Sequence, residues 1–208
     1  MRIAGGIPEP DKIAGNASPR DEERATTVAL ACHPDTPSAG VHGIEARVVR
    51  TRAGMLLLDY AAAGTLDRVR VPAPRPSHIG ERLWQHTCFE VFIRAQGAPQ
   101  YHELNFAPSR AWAPFAFAQY RQGAALLDEA LDPRIDPRSD AGSLTLQARI
   151  RLDLLSPLHA GAALSLGLAA VIEDRDGALS YWALAHPPGR PDFHHPDAFA
   201  LELDAARA

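Results

Sequence analysis

Glu90 and Glu103 are the first residues whose types and spacing point to chemistry. They lie in two β-like runs, 87–95 and 101–107, joined by Gln96-Gly97-Ala98-Pro99-Gln100, a turn-rich link that reads as a hairpin. Two carboxyls on one face of neighbouring strands could act as the acid and the base or nucleophile of glycoside hydrolysis. They could equally accept hydrogen bonds from the hydroxyls of a bound sugar. Binding asks less of the geometry than hydrolysis does, so the reading leans to a site without catalysis.

The register of this hairpin follows from its pattern. Phe89, Val91 and Ile93 share one face of the first run, and Leu104 and Phe106 one face of the second. Burying them together sets Arg94 opposite Tyr101, Phe92 opposite Glu103 and Glu90 opposite Asn105. A slip of one residue would mix apolar and polar faces. The other face then carries Cys88, Glu90, Phe92, Arg94, Tyr101, Glu103 and Asn105. The alternating run from Leu144 to Leu152 offers a second polar row of Thr145, Gln147, Arg149 and Arg151. The expected ligand contacts are Glu90, Arg94, Tyr101, Glu103, Asn105 and Arg149, with Trp84 and Trp112, each close to a loop, as stacking rings at the rim. Trp182, inside an apolar run, reads as core. The competing reading of any one polar residue is cross-strand pairing on a half-exposed sheet.

A second concentration of chemistry runs from His186 through Asp192, His194 and His195. Three histidines and an aspartate could hold a metal. Adjacent His194 and His195 point apart on extended chain, so a closing loop fixed by His and Asp hydrogen bonds is the preferred reading, and no metal is expected. There is no phosphate-binding Gly-rich loop, no Gly-x-Ser-x-Gly elbow and no His-Glu-x-x-His.

The elements that must position these residues are short strands. Candidates run over 25–33, 43–51, 55–62, 66–71, 87–95, 101–107, 112–121, 143–152, 164–173, 178–186 and 198–203. Brief helical connectors are expected at 124–131 and 153–159. Regular turn signals and 18 prolines fit a loop-rich β fold. The expected fold class is all-β, an antiparallel two-sheet β-sandwich with short helical turns. Residues 1–24, rich in Gly, Pro and charge, read as a flexible tail. Residues 25–208 read as one domain.

Three stretches carry a family resemblance. Trp84 followed by Cys88-Phe89-Glu90-Val91-Phe92-Ile93 resembles the Trp…Glu-Val-Phe-Ile strand of DOMON-like domains, which are similar to family 9 carbohydrate-binding modules. Tyr101-His102-Glu103-Leu104-Asn105-Phe106-Ala107-Pro108-Ser109 resembles that family's next strand. Gly167 to Gly177, continued by Ser180-Tyr181-Trp182, resembles its late strand and Asp-rich turn. The resemblance spans about Thr26 to Leu203. It implies a jelly-roll-like sandwich that binds a carbohydrate or, in some branches, haem. His86 and Thr87 stand where the sugar-binding modules commonly have acidic residues. Met1 and Met55 are poorly placed as haem ligands, which leaves haem on histidines as an alternative. A protein–protein interaction module without small ligand is the other.

Composition bounds the partners. Hydrophobic residues make up 46% and charged residues 22%, the net charge is −4 and the pI about 6.1. This balance gives no reason to expect nucleic acid or a membrane surface. No segment reaches the roughly 18 apolar residues of a membrane span, and the first residues lack a signal-like apolar stretch, so a cytoplasmic location is expected. Cys32 and Cys88 read as two reduced thiols.

Overall fold

The structure, a computed structural model, describes residues 25–206. The expected tail at 1–24 lies outside the described residues. The strands are β1 (Thr26–Cys32), β2 (Val41–Arg50), β3 (Met55–Gly64), β4 (His78–Ile79), β5 (Cys88–Ala95), β6 (Tyr101–Phe106), β7 (Ala111–Gln119), β8 (Gln122–Ala125), β9 (Arg134–Ser139), β10 (Ser143–Arg151), β11 (Leu164–Glu173), β12 (Leu179–Ala183) and β13 (Leu201–Leu203). Two short helices, α1 (Leu152–Leu155) and α2 (Pro157–Gly161), connect β10 to β11. No described helix is long and apolar enough to cross a membrane.

The all-β expectation holds. The strands join in one hydrogen-bonded path, β4-β7-β6-β5-β11-β12-β1-β2-β3-β10-β9, with β8 on β7 and β13 on β11. The bridge is β1. It pairs with β2 from Thr26 to Leu30, then with β12 through Ala31↔Ala183 and Cys32↔Trp182. The two arms meet in one core. One arm contributes Ile44, Val48, Leu56, Leu58, Tyr60, Leu146 and Ile150, the other Phe89, Val91, Ile93, Phe106, Leu166 and Leu168.

The hairpin register is the expected one: Glu90↔Asn105, Phe92↔Glu103 and Arg94↔Tyr101. Gly97, with φ of 77°, makes the turn in a left-handed conformation that a Cβ would strain. In contrast to a half-exposed sheet, β11 is buried along its whole length and β5 nearly so. Both of their faces are covered.

Three local expectations change. Residues 66–71 form a 3-10 turn at Leu66–Arg68 rather than a strand. Leu66 and Val69 are both buried, and their i, i+3 spacing puts them on one side of a 3-10 turn. The expected helix at 124–131 is instead the end of β8 and a 3-10 turn at Glu129–Leu131. The segment 134–139, absent from the expected strands, is β9 and carries Pro137. It ends the strand path, where a missing N–H costs no ladder bond.

Candidate functional site

The outer face of β12-β11-β5-β6-β7, the face turned away from the shared core, holds a cleft of about 360 Å³. Its floor follows from the pairing. Val171↔Tyr181, Ala169↔Glu90, Phe92↔Glu103 and Glu103↔Phe115 run across five adjacent strands. Alternation does the positioning: Phe89 and Val91 enter the core, so Glu90 and Phe92 must point outward. Phe115 and Phe117 follow by the same rule on β7.

The chain then returns over this face. Pro191, Phe193 and His194 line the cleft, as does Arg121 after β7. Phe199 packs with Phe92, Tyr101, Ala169 and Ala183. This segment is what buries the second face of β5 and β11. Asp192 fixes it, accepting from Arg121 Nη2 at 2.7 Å, from Tyr120 Oη at 2.6 Å and from the His194 backbone N–H at 3.1 Å. His33 Nε2 meets the Gly189 carbonyl at 2.9 Å, and His186 Nε2 meets the Ala31 carbonyl at 2.8 Å. The histidines of the closing loop are thus engaged in hydrogen bonds. Among the described residues no three His, Cys, Asp or Glu side chains converge as a metal site.

The polar floor is small and strongly perturbed. Glu90 and Glu103 are both buried. Glu90 Oε1 accepts from the Cys88 thiol at 3.3 Å, and Glu103 Oε1 accepts from Asn105 Nδ2 at 2.8 Å. Asn105 Oδ1 is buried without a partner. Burial, reinforced by the charge of Glu103, pushes the Glu90 carboxyl well up, to about 8. Burial also raises Glu103, to about 7, against the pull of Asn105 and Arg121. The Cys88 thiol rises with them, first through burial and then through Glu90.

His194 connects this floor to the wall. Its Nδ1 lies 2.9 Å from Tyr101 Oη, which also accepts the Arg121 backbone N–H at 3.1 Å. With the phenol donating to Nδ1, the imidazole proton sits on Nε2. Nε2 lies 3.7 Å from Glu103 Oε2. This approach is not an ion pair: burial, with Arg121 nearby, lowers the His194 value to about 4 and leaves the ring neutral. Tyr101 stacks on Phe117 with ring centroids 4.7 Å apart and 4° between planes.

The expected contacts separate into groups. Glu90 and Glu103 form the floor, and Trp84, 41% exposed and edge-on to Phe115, stands at the rim. Tyr101 and Asn105 lie behind the floor and hold His194 and Glu103. Arg94 is on the same face but away from the cleft lining, its guanidinium 4.4 Å from the Phe199 ring centroid. Trp112 is in the core instead, opposite Phe106. Its neighbours Ala111 and Ala113 take the outward positions of β7. Arg149 lies on β10, paired with Leu57 and Arg134. Ala148 and Ile150 point into the core, so Arg149 faces outward from the opposite arm, with the whole core between it and the cleft.

Sequence reasoning missed Phe115, Phe117, Arg121 and Tyr181, and placed His194 in a closing loop without bringing it or Phe193 to the cleft. For Phe115, Phe117 and Tyr181 the signal was there, as aromatics at alternate positions of their strands. For Arg121 it was not, and for Phe193 and His194 composition marked a closing loop but no periodicity said which face it covers. His86 and Thr87, at the expected acidic positions, bind Glu173 at the end of β11: His86 Nδ1 is 2.8 Å from its Oε2, and Thr87 Oγ1 accepts its backbone N–H at 3.1 Å.

No protein-family profile matches the chain, and no curated protein does. Among solved structures it is similar to a "putative carbohydrate-binding protein" from Bacteroides uniformis, with a TM-score of 0.64 and 17% identity over 84% of this chain and 83% of that one. Weaker similarity, TM-score 0.49 and 11% identity over 88% and 83%, is found to a family 9 carbohydrate-binding module from Caldicellulosiruptor kristjanssonii in complex with cellotriose. The first of these places the chain in a known β-rich fold.

Proposed function

We propose that the chain is a non-catalytic binding module whose outer cleft takes a carbohydrate or a similar polyhydroxylated small molecule. The observation that carries this reading is the cleft itself: buried carboxyls at its floor between aromatic walls. Carboxyls supply directional partners for hydroxyls, and rings supply flat apolar surfaces for the C–H faces of a sugar. A volume of about 360 Å³ falls in the lower part of the range for small-ligand pockets, roughly 300–1,000 Å³. The fold similarity to a protein described as carbohydrate-binding supports the same reading.

The test is a titration of mono- and oligosaccharides followed by Trp84 fluorescence and by NMR shifts of Glu90 and Glu103 neighbours. Saturable binding that Phe117→Ala and Glu103→Gln weaken is expected. A broad sugar panel that leaves fluorescence and shifts unmoved overturns the proposal.

A further inference from the structure

We propose that the ligand of this cleft carries a cationic amino group, which makes it, within the sugar reading above on which this inference rests, an amino sugar. The charged and ionisable residues lining the cleft are Glu90, Glu103, Arg121, Tyr181 and His194. Arg121 is bound to Asp192 at 2.7 Å, and this pair is neutral as a unit. His194 keeps Nδ1 on Tyr101 and faces Glu103 at 3.7 Å without charge. Glu90 is also approached by Cys88, whose thiol donates to it, by the Tyr60 hydroxyl, which donates to its backbone carbonyl, and by Tyr181 at the rim. Nothing among these is a cation free to balance the two carboxyls.

Two buried acids without a counter-charge are costly as anions. An ammonium from the ligand supplies what the protein leaves out. It brings a full positive charge and three N–H donors to a floor whose ionised oxygens only accept. The walls fit the same charge. Trp84, Phe115, Phe117, Tyr181 and Phe193 present ring faces or edges around the cleft, and rings attract a cation over their faces. A neutral hydroxyl brings one donor and no charge, so it gains less from both features. When the ammonium enters, each carboxyl that was protonated must release its proton to solvent.

The experiment compares D-glucosamine, D-glucose, N-acetyl-D-glucosamine and cyclohexylamine by calorimetry at pH 6.5, in buffers of different ionisation enthalpy. Glucosamine is expected to bind about tenfold or more tighter than glucose and N-acetylglucosamine, with a buffer-dependent enthalpy that reports proton release. Glu90→Gln and Glu103→Gln should each remove most of that preference. The wild-type ligand series stands on its own should either variant fold poorly. Glucose or N-acetylglucosamine binding as tightly as glucosamine overturns the amino-group inference and leaves the sugar reading standing. Cyclohexylamine binding while every sugar fails supports the cation site and overturns the sugar reading. Silence from all four probes overturns both.

Discussion

The β5–β6 hairpin buries two faces and spends them differently. Phe89, Val91, Ile93, Leu104 and Phe106 on the inner face pack into the shared apolar core, with His102 opposite Ile93 at its end. The outer face is nearly as buried, yet it holds Glu90, Glu103 and Asn105 among its rings. Packing accounts for the inner set. It does not account for two carboxyls raised by burial, beside an amide oxygen that has no partner. Perturbed acids gathered in a cleft mark a site more often than a structural need. On one hairpin, then, equal burial separates a face that serves stability from the face to which the proposed function assigns a ligand.

The largest test of that contrast is on the inner face. Phe89→Ala is expected to cost about 3–5 kcal/mol of stability by denaturant unfolding, and to leave ligand affinity unchanged in protein that remains folded. A loss of affinity at constant fold would break the division between faces. Next is the pH dependence of the outer face. The half-buried ring of His194 is lowered to about 4 from an ordinary 6.5, as is the ring of His159, which is buried away from the cleft against His102, so their contribution is complete above pH 6.5. Glu90 and Glu103 are raised from 4.5, so the stability they supply is full below that value and is lost as pH rises through about 7 and 8. Between pH 6.5 and 8 the wild type should lose stability at on the order of 1 kcal/mol per pH unit. The Glu90→Gln/Glu103→Gln double variant should be nearly flat, and an equal slope in both proteins would remove the carboxyls as its cause.

Smaller effects sharpen the boundary of the site. Trp84→Ala removes an exposed rim ring and should weaken sugar binding by about 0.5–1.5 kcal/mol, with the unfolding midpoint almost unmoved. Arg149→Ala, on the far side of the core, should change stability by less than about 0.5 kcal/mol and binding not at all. A binding defect there would place a contact on the wrong arm.

The hairpin was legible from sequence because two local signals agreed, apolar residues at every second position of both strands and a Gly-containing turn. β10 and β11 were legible for the same reason of length and pattern. β8 and β9 were not: Gln122–Ala125 is too short to show a period, and Arg134–Ser139 carries Pro137, which strands tolerate at an edge. The site divided along the same line. Glu90 and Glu103 could be placed together from one hairpin. Arg149 could not be placed, since alternation fixes which side of its own strand a residue faces and says nothing about which arm of the sheet that strand joins. Trp112 was lost by one position of phase, next to a small Ala111. The closing segment that brings Phe193 and His194 over the floor depends on contacts across the whole chain, which no local window contains.

The seam at β1 has a further consequence, for the order of folding. β2–β3 and β9–β10 can each zip as a hairpin, but Ala31↔Ala183 and Cys32↔Trp182 join segments about 150 residues apart in sequence. Loop closure over that span is slow and must be met before the pairing rewards it. During synthesis the sheet cannot close until β12 has left the ribosome. In pulse-labelled refolding, amide protection at Ala31 and Ala183 is expected to appear after that of β2 and β3, with the cleft face completed only when the segment beyond β12 folds back over β5.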